Sequence, residues 1–372
     1  MKVSIVLGTR PEIIKMSPII KECERLALDY FILHTGQHYS YDMDKAFFEE
    51  LKLPDAKYHL DVGSGSHGQQ TGKMLIKIEK VLRKEKPTVV LVEGDTNSTL
   101  AGALAANKLG IRVGHVEAGL RSYDRRMPEE TNRVLTDHCS DYLFAPTEKS
   151  KEILVGEGVP EEKIFVTGNT IVDVIYQNLE IAKKRDFLNE LHLRPKGYFL
   201  ATTHRQENVD DKTRFSGILK GQEKVSDEFG VPIIYPVHPR SRKRIKKFDL
   251  QPYRIKMIGP VNFSTFLQLE YNAKLVLTDS GGVQEETCVL KVPCVTLRDN
   301  TERPETIEVG SNILAGTNPE RILECAKTMM RKENNWENPF GDGNAGKKII
   351  ETLIKCARAQ INVHSVFGHN YR

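Results

Sequence analysis

Apolar residues in this chain fall in short runs, and between the runs apolar positions recur at helical spacing. In the first half the runs lie at residues 3–7, 30–35, 88–93, 112–117, 142–146 and 163–167 and are rich in β-branched side chains. The intervening pattern predicts helices over 11–28, 43–51, 69–85 and 96–109. Near-continuous apolar strands separated by amphipathic helices imply a parallel sheet covered on both faces. After a charged stretch at 177–196 a second series follows, at 198–203, 232–237, 255–258, 274–278, 293–297 and 312–314. Two series of strands do not fit the eight repeats of a TIM barrel. They predict an α/β protein of two Rossmann-like, doubly wound domains, with boundaries at 1–169 and 170–354. A last helical stretch at 346–356 and a tail at 355–372 could pack back on the first domain.

Polar residues concentrate where the strands end. Run 3–7 leads into Gly8-Thr9-Arg10, run 30–35 into Gly36-Gln37-His38, run 88–93 into Gly94-Asp95-Thr96, and run 112–117 ends in Glu117 before Ala118-Gly119. In the second half the strand ends carry His204-Arg205, His238, Asp279-Ser280-Gly281-Gly282 and Arg298-Asp299. Open α/β sheets bind ligands beyond the carboxyl ends of their strands. One or two loaded ends are ordinary; eight, most with glycine beside them, favour a functional cleft.

Composition narrows the ligand. Lys plus Arg number 54 and Asp plus Glu 50, so the formal charge of +4 argues against a nucleic-acid partner. An anionic partner would be small and met by a local pocket. The six cysteines include no CxxC pair, which argues against a disulfide framework or zinc site and suits a reducing, cytoplasmic setting. No apolar stretch approaches the ~20 residues of a membrane span.

The turn Ser280-Gly281-Gly282 closes a strand and opens a helix, so free N–H groups and the positive helix end converge as in a phosphate site. A simple left-handed cap gives the same pattern, and the helix dipole alone would place Glu285 and Glu286 there. Neither a GxGxxG nor a Walker loop is present, which points to a nucleotide sugar rather than NAD or a triphosphate, with no cofactor. Arg10, Arg298 and Arg303 are candidates for a pyrophosphate, although each could be a surface arginine, and Arg298 taken alone reads as one. Asp95, Glu117 and Glu129 supply the carboxylates that proton transfer on carbon requires. The alternatives are a helix N-cap at Asp95-Thr96-Asn97 and an i,i+4 salt bridge from Glu129 to Arg133. His115 and Glu117 share a strand face, but no third ligand completes a metal site.

Taken together, the segments name a family. They are Gly8-Thr9-Arg10-Pro11-Glu12-x-x-Lys15-Met16, Gly94-Asp95-Thr96, Gly114-His115-Val116-Glu117-Ala118-Gly119-Leu120-Arg121, Pro128-Glu129-Glu130-x-Asn132-Arg133, Thr278-Asp279-Ser280-Gly281-Gly282-x-Gln284-Glu285-Glu286 and Arg298-Asp299-x-Thr301-Glu302-Arg303-Pro304. From residue 3 to the segment 338–343 the chain closely resembles non-hydrolysing UDP-N-acetylglucosamine 2-epimerases. The resemblance implies a GT-B fold whose two domains face a central cleft, UDP held mainly by the second. It implies interconversion of UDP-N-acetylglucosamine and UDP-N-acetylmannosamine without NAD or metal. UDP leaves across C1–C2, giving 2-acetamidoglucal, and adds back with protonation of C2 from the other face.

By the same resemblance Asp95, Glu117, Glu129 and His204 match the catalytic residues. Arg10 and Lys15 match the diphosphate contacts, and Arg133 accompanies the third carboxylate. Ser280, Gly281, Gly282, Glu286 and Arg303 match the UDP-binding set, with Phe266 near the uracil. A homodimer and a role in surface polysaccharide synthesis are expected on the same ground.

The departures concern a second, activating site. Gln37, Arg205, Glu207 and His238 keep its pattern, but Ser40 replaces a glutamine, Gln69 an arginine, Gln206 interrupts an Arg-Arg pair, and Val261 replaces a glutamine near the uracil. Weak activation by substrate is expected there. The rival readings are a 2-epimerase of another 2-acetamido UDP-sugar such as a diacetamido-uronic acid, a hydrolysing epimerase, a GT-B glycosyltransferase, and a non-catalytic nucleotide-sugar sensor.

Overall fold

Every apolar run anticipated from the sequence forms a strand, and all strands pair in parallel. The computed structural model describes residues 1–37, 41–184 and 186–367, with the backbone alone at 41–43 and 360–367. In chain order the first elements are β1 (Lys2–Leu7), α1 (Arg10–Arg25), β2 (Asp29–His34), α2 (Tyr41–Glu50), β3 (Tyr58–His59) and α3 (His67–Glu85). Then come β4 (Val89–Glu93), α4 (Asn97–Lys108), β5 (Arg112–Val116), α5 (Pro128–Cys139), β6 (Tyr142–Ala145), α6 (Glu148–Gly156), β7 (Ile164–Val166) and α7 (Thr170–Lys183). The second series is α8 (Phe187–Glu190), β8 (Phe199–Thr202), α9 (Gln206–Val209), α10 (Lys212–Phe229), β9 (Ile233–Pro236), α11 (Pro239–Lys247), β10 (Ile255–Ile258) and α12 (Phe263–Asn272). It closes with β11 (Leu275–Thr278), α13 (Gly281–Val289), β12 (Cys294–Thr296), α14 (Pro304–Glu308), β13 (Asn312–Leu314), α15 (Pro319–Arg331) and α16 (Ala345–Phe367).

The chain divides into two compact units, Met1–Val174 with the segment from Gly341 onward, and Ile175–Phe340. The sequence had placed these divisions at 169 and 354. The first unit holds a sheet of order β3-β2-β1-β4-β5-β6-β7, the second a sheet of order β10-β9-β8-β11-β12-β13. These are two doubly wound α/β domains of the kind the GT-B class combines. In each order the chain winds outward in one direction from the first strand and then in the other. The resulting switch points fall between β1 and β4 and between β8 and β11.

The strands are buried because both sheet faces are covered. Val6, Val90, Val92 and Val113 pack with Met74, Ile78 and Ala103 of α3 and α4 in the first unit. Phe199, Ala201, Tyr235 and Leu277 pack with Phe215, Ile218 and Ile322 of α10 and α15 in the second. Among the described residues, the two-residue β3 is the one strand that no apolar run announced; it lies at the sheet edge, paired through Leu33–Tyr58. Among the described residues no helix is long and apolar enough to cross a membrane.

Helix α16 joins the first unit for two local reasons. The Asp173 carboxylate accepts the Ala345 and Gly346 N–H groups at 3.1 and 2.9 Å, an anion at a helix N-terminus. Gly346 also lies so close to α1 that a Cβ there would sit 2.9 Å from Pro18 backbone carbon. Asp173→Ala strands both N–H groups in a buried place, so its expected cost is about 1–2 kcal/mol, read as a lowered midpoint for the first unit in denaturant unfolding.

Candidate active site

At the first switch point the carboxylate of Glu12, in the first turn of α1, gathers donors from both neighbouring loops. Gly8 N and Thr9 Oγ1 reach one oxygen at 2.8 and 2.9 Å, and Thr96 Oγ1 and Thr99 Oγ1 the other at 2.7 and 3.0 Å. Burial pushes this carboxyl above the usual range and the four donors pull it back. Thr96, not Asp95, caps α4 through a capping box with Thr99. Asp95 is thereby left to the adjacent crevice, half-buried, with Arg133 of α5 at 2.6 Å. Arg133 also binds Glu130 at 2.5 Å, and Asn132 donates to the Asp95 carbonyl at 2.9 Å. Glu129 lies half-buried in the first turn of the same helix.

One strand further along, Glu117 has φ +69°, a left-handed conformation that costs a non-glycine residue about 1–3 kcal/mol. Its side chain is bonded to the Lys15 ammonium and, at 3.1 Å, to Asn169. Lys15 is buried and lies 3.6 Å from Glu93 as well. Burial drives the Glu93 carboxyl well above its ordinary range, with Lys15 opposing and Glu117, Glu12 and Asp95 adding to the rise. His115 sits under this ridge, with Nδ1 at 2.6 Å from Asp137 and Nε2 at 2.8 Å from the Gly94 carbonyl. Asp137 also meets Arg121 at 2.8 Å and accepts Gly119 N–H at 3.3 Å. The strand end that carries Glu117 is thus braced from below by the His115–Asp137–Arg121 chain. Among the described residues no cluster of His, Cys, Asp and Glu is arranged to hold a metal ion.

Two other predicted residues of this unit are engaged differently. Arg10 is half-exposed beside Asp44 at 3.3 Å, its guanidinium over the Phe47 ring at 5.0 Å. Gln37 is buried, and its Oε1 accepts Ser98 N–H at 2.9 Å and Ser98 Oγ–H at 2.8 Å, tying the loop after β2 to α4. Ser40 lies outside the described residues.

The second unit repeats the device. Asp279, after β11, is fully buried and accepts the backbone N–H groups of His204 at 3.0 Å and Arg205 at 3.0 Å, with Asn208 Nδ2 at 3.2 Å. The loop after β8 is held against the turn Ser280-Gly281-Gly282 that opens α13. His204 itself is exposed, its ring 5.8 Å from that of His238 after β9, and His238 Nδ1 accepts Arg240 N–H at 3.2 Å. Glu207 is exposed in α9, and Phe266 is half-buried in α12.

Beside the turn, Glu302 gathers three arginines. Arg205 lies at 3.0 Å, Arg298 at 2.8 Å and Arg303 at 3.1 Å, and Arg303 also reaches Glu285 at 3.1 Å. Arg298 is buried in this cluster and salt-bridged to Glu302, so it is not the surface arginine that its sequence context alone suggested. Glu12, Glu93, Asn169 and Glu302 were not singled out for a role from the sequence. Glu12 and Glu302 stand inside the quoted motifs, whereas nothing local marks Glu93 or Asn169.

A profile of the UDP-N-acetylglucosamine 2-epimerase family matches residues 21–354. A protein of Methanocaldococcus jannaschii named UDP-N-acetylglucosamine 2-epimerase is 59% identical over 362 residues, covering 95% of this chain and 99% of its own length. The crystal structure of M. jannaschii UDP-GlcNAc 2-epimerase in complex with UDP-GlcNAc and UDP superposes with a TM-score of 0.91 at 58% identity, over 95% of this chain and all of that one. A Pseudomonas aeruginosa protein named UDP-2,3-diacetamido-2,3-dideoxy-D-glucuronate 2-epimerase is 42% identical over 359 residues, 95% of this chain and 100% of its own.

Gly281 tests how tightly the turn is built. A Cβ there would lie 2.5 Å from Glu302 Oε1, an oxygen that two guanidinium groups hold in place. Gly281→Ala is expected to cost about 1–3 kcal/mol as an overpacked substitution, measured by thermal unfolding, with Gly282→Ala costing less because its nearest contact is an ordinary 3.7 Å.

Proposed function

The chain belongs to the UDP-N-acetylglucosamine 2-epimerase family, and on that premise we propose that it interconverts UDP-N-acetylglucosamine and UDP-N-acetylmannosamine by elimination and re-addition of UDP. The observation that carries this reading is the pair of carboxylates at the ends of β4 and β5, Asp95 and Glu117, each set against one cation, Arg133 and Lys15. A base takes the C2 proton, the C1–O bond breaks with its electrons going to UDP, and a C1=C2 double bond forms. UDP then adds back at C1 while C2 receives a proton on its other face. The C2 proton is weakly acidic, so the acids and bases must be held in near-attack geometry. A buried, strained Glu117 braced through His115 and Asp137 suits that demand.

In this proposal Asp95, Glu117 and Glu129 serve the two faces of C2. His204, Arg10 and Lys15 stabilise charge on the departing diphosphate. The turn Ser280-Gly281-Gly282 offers its N–H groups to the phosphates, Arg303 adds a cation, and the Glu286 carboxylate accepts hydroxyls of the ribose. Phe266 lies toward the base. The Pseudomonas relative favours a second reading, in which the sugar carries a 3-acetamido group and a carboxylate at C6.

Proton NMR of the protein with UDP-N-acetylglucosamine in D2O tests the proposal directly. A new UDP-sugar anomeric signal with deuterium at C2 is the expected result. Exchange only with a UDP-diacetamido-uronic acid would select the second reading, and free N-acetylmannosamine plus UDP would indicate a hydrolysing enzyme. Asp95→Asn and Glu117→Gln are expected to lower kcat by about 100-fold or more with UDP affinity by calorimetry nearly unchanged. Arg303→Ala is expected to weaken UDP binding by about 10–100-fold.

A further inference from the structure

The His204 side chain is exposed, and among the described residues no hydrogen bond reaches its ring; the Asp279 carboxylate stands 3.6 Å from its Nδ1. What fixes this imidazole is the backbone beneath it. The His204 N–H donates to the two Asp279 oxygens at 3.0 and 3.1 Å, and the Arg205 N–H donates to Asp279 Oδ2 at 3.0 Å.

At the other end of the same peptide unit, the Thr203 carbonyl accepts two hydroxyls. The Tyr235 phenol of β9 donates at 2.6 Å, and Ser241, in the first turn of α11, donates at 2.5 Å. Both side chains are fully buried. The sheet accounts for their use. Strand β8 stays paired with β11 as far as Thr202–Thr278, but its ladder with β9 ends at Leu200–Ile234. The Thr203 carbonyl lies beyond that ladder, and a buried carbonyl left unpaired is costly. Two hydroxyls use both of its lone pairs. Burial pushes the Tyr235 phenol above its ordinary range, so it remains a donor at neutral pH.

A peptide unit is planar and rigid. Pinning its carbonyl at Thr203 and its N–H at His204 therefore fixes the His204 Cα. The pinned Arg205 N–H holds the following peptide as well, which leaves the ring only its two side-chain torsions. Tyr235 and Ser241 also bracket residues 236–240, whose His238 ring lies 5.8 Å from that of His204. The loops that carry the two imidazoles are thus tied to one carbonyl.

We propose that Tyr235 and Ser241 are positioning residues for His204, their hydroxyls closing on the Thr203 carbonyl to hold the imidazole where it meets the departing diphosphate. This rests on the reading of His204 as a group that stabilises that charge. Because the charge develops in the transition state, loosening the clamp costs turnover more than it costs substrate binding.

Y235F and S241A each remove one hydroxyl and change the side-chain volume little. Together they are expected to lower kcat for epimerisation of UDP-N-acetylglucosamine about 10–100-fold, with KM nearly unchanged. Each alone costs less, since one hydroxyl still holds the carbonyl. In an H204A background the same pair is expected to lower kcat by less than about twofold, a result that general loosening of the second unit would not give. With ring-13C-labelled histidine, the His204 signal, assigned by its loss in H204A, is expected to shift and broaden in Y235F/S241A. A kcat near that of the wild type in the folded double variant, an equal fall with and without His204, or an unchanged ring signal overturns the proposal alone. An H204A variant as active as the wild type overturns the reading of His204, and a wild type inactive on this sugar overturns the epimerase reading. In either case, or where H204A is too slow to measure, the ring signal decides whether the two hydroxyls set the imidazole. Circular dichroism melting confirms folding, and if the double variant fails to fold, S241A alone is carried through the same comparison.

Discussion

One buried carboxylate closes each sheet at its switch point. Glu12 accepts from the loops after β1 and β4, and Asp279 joins the loops after β8 and β11. Both do so where adjacent parallel strands send their chains to opposite faces. The constraint is general: strands in such sheets end with backbone N–H groups and short loops that no neighbouring strand can satisfy. An acceptor placed beneath them satisfies those donors and also fixes the loops against each other. Everything above, from Asp95 and Glu117 in one unit to the Ser280 turn in the other, takes its position from these two joints.

Charge is handled oppositely in the two units. In the first, acids outnumber their cations around Lys15 and Arg133, and burial raises carboxyls such as Glu93 well above the ordinary carboxylate range. In the second, Glu302 sits among Arg205, Arg298 and Arg303, leaving positive charge beside the N-terminus of α13. Buried pairs of this kind are weak contributors to stability because desolvation offsets the Coulomb attraction. Their use is preorganisation: a charge already stripped of water and held in place responds to a developing charge on a ligand without reorganising. The left-handed backbone at Glu117 fits the same account, since local strain is tolerated where the surrounding bonds over-determine a position.

The fold was legible because its periods are strong. Buried parallel strands must be nearly all apolar, and each such run reappears as a strand; among the described residues only β3, two residues at an edge, carried no run to read. Motif residues marked the strand ends for a related reason, since glycine and charge together at a run's end are hard to place elsewhere. The sequence did not separate Asp95 as a helix cap from Asp95 as a site acid. That was decided by Thr96, whose capping box with Thr99 takes the helix end and releases its neighbour. Nor could it show that Arg133 turns to Asp95 and Glu130, because both partners depend on how α5 packs.

By itself, then, the chain's pattern determined two doubly wound sheets, the loops that carry their chemistry, and the family to which the motifs belong. These follow from local periodicity and from residue types that only certain backbone positions accept. Tertiary structure alone decided which carboxyls are paired and which burial pushes up. Glu93 meets Lys15 across 78 residues of sequence, and Asp95 meets Arg133 across 38. A pKa depends on burial and on the charges within a few ångströms, and neither is written in the order of the residues.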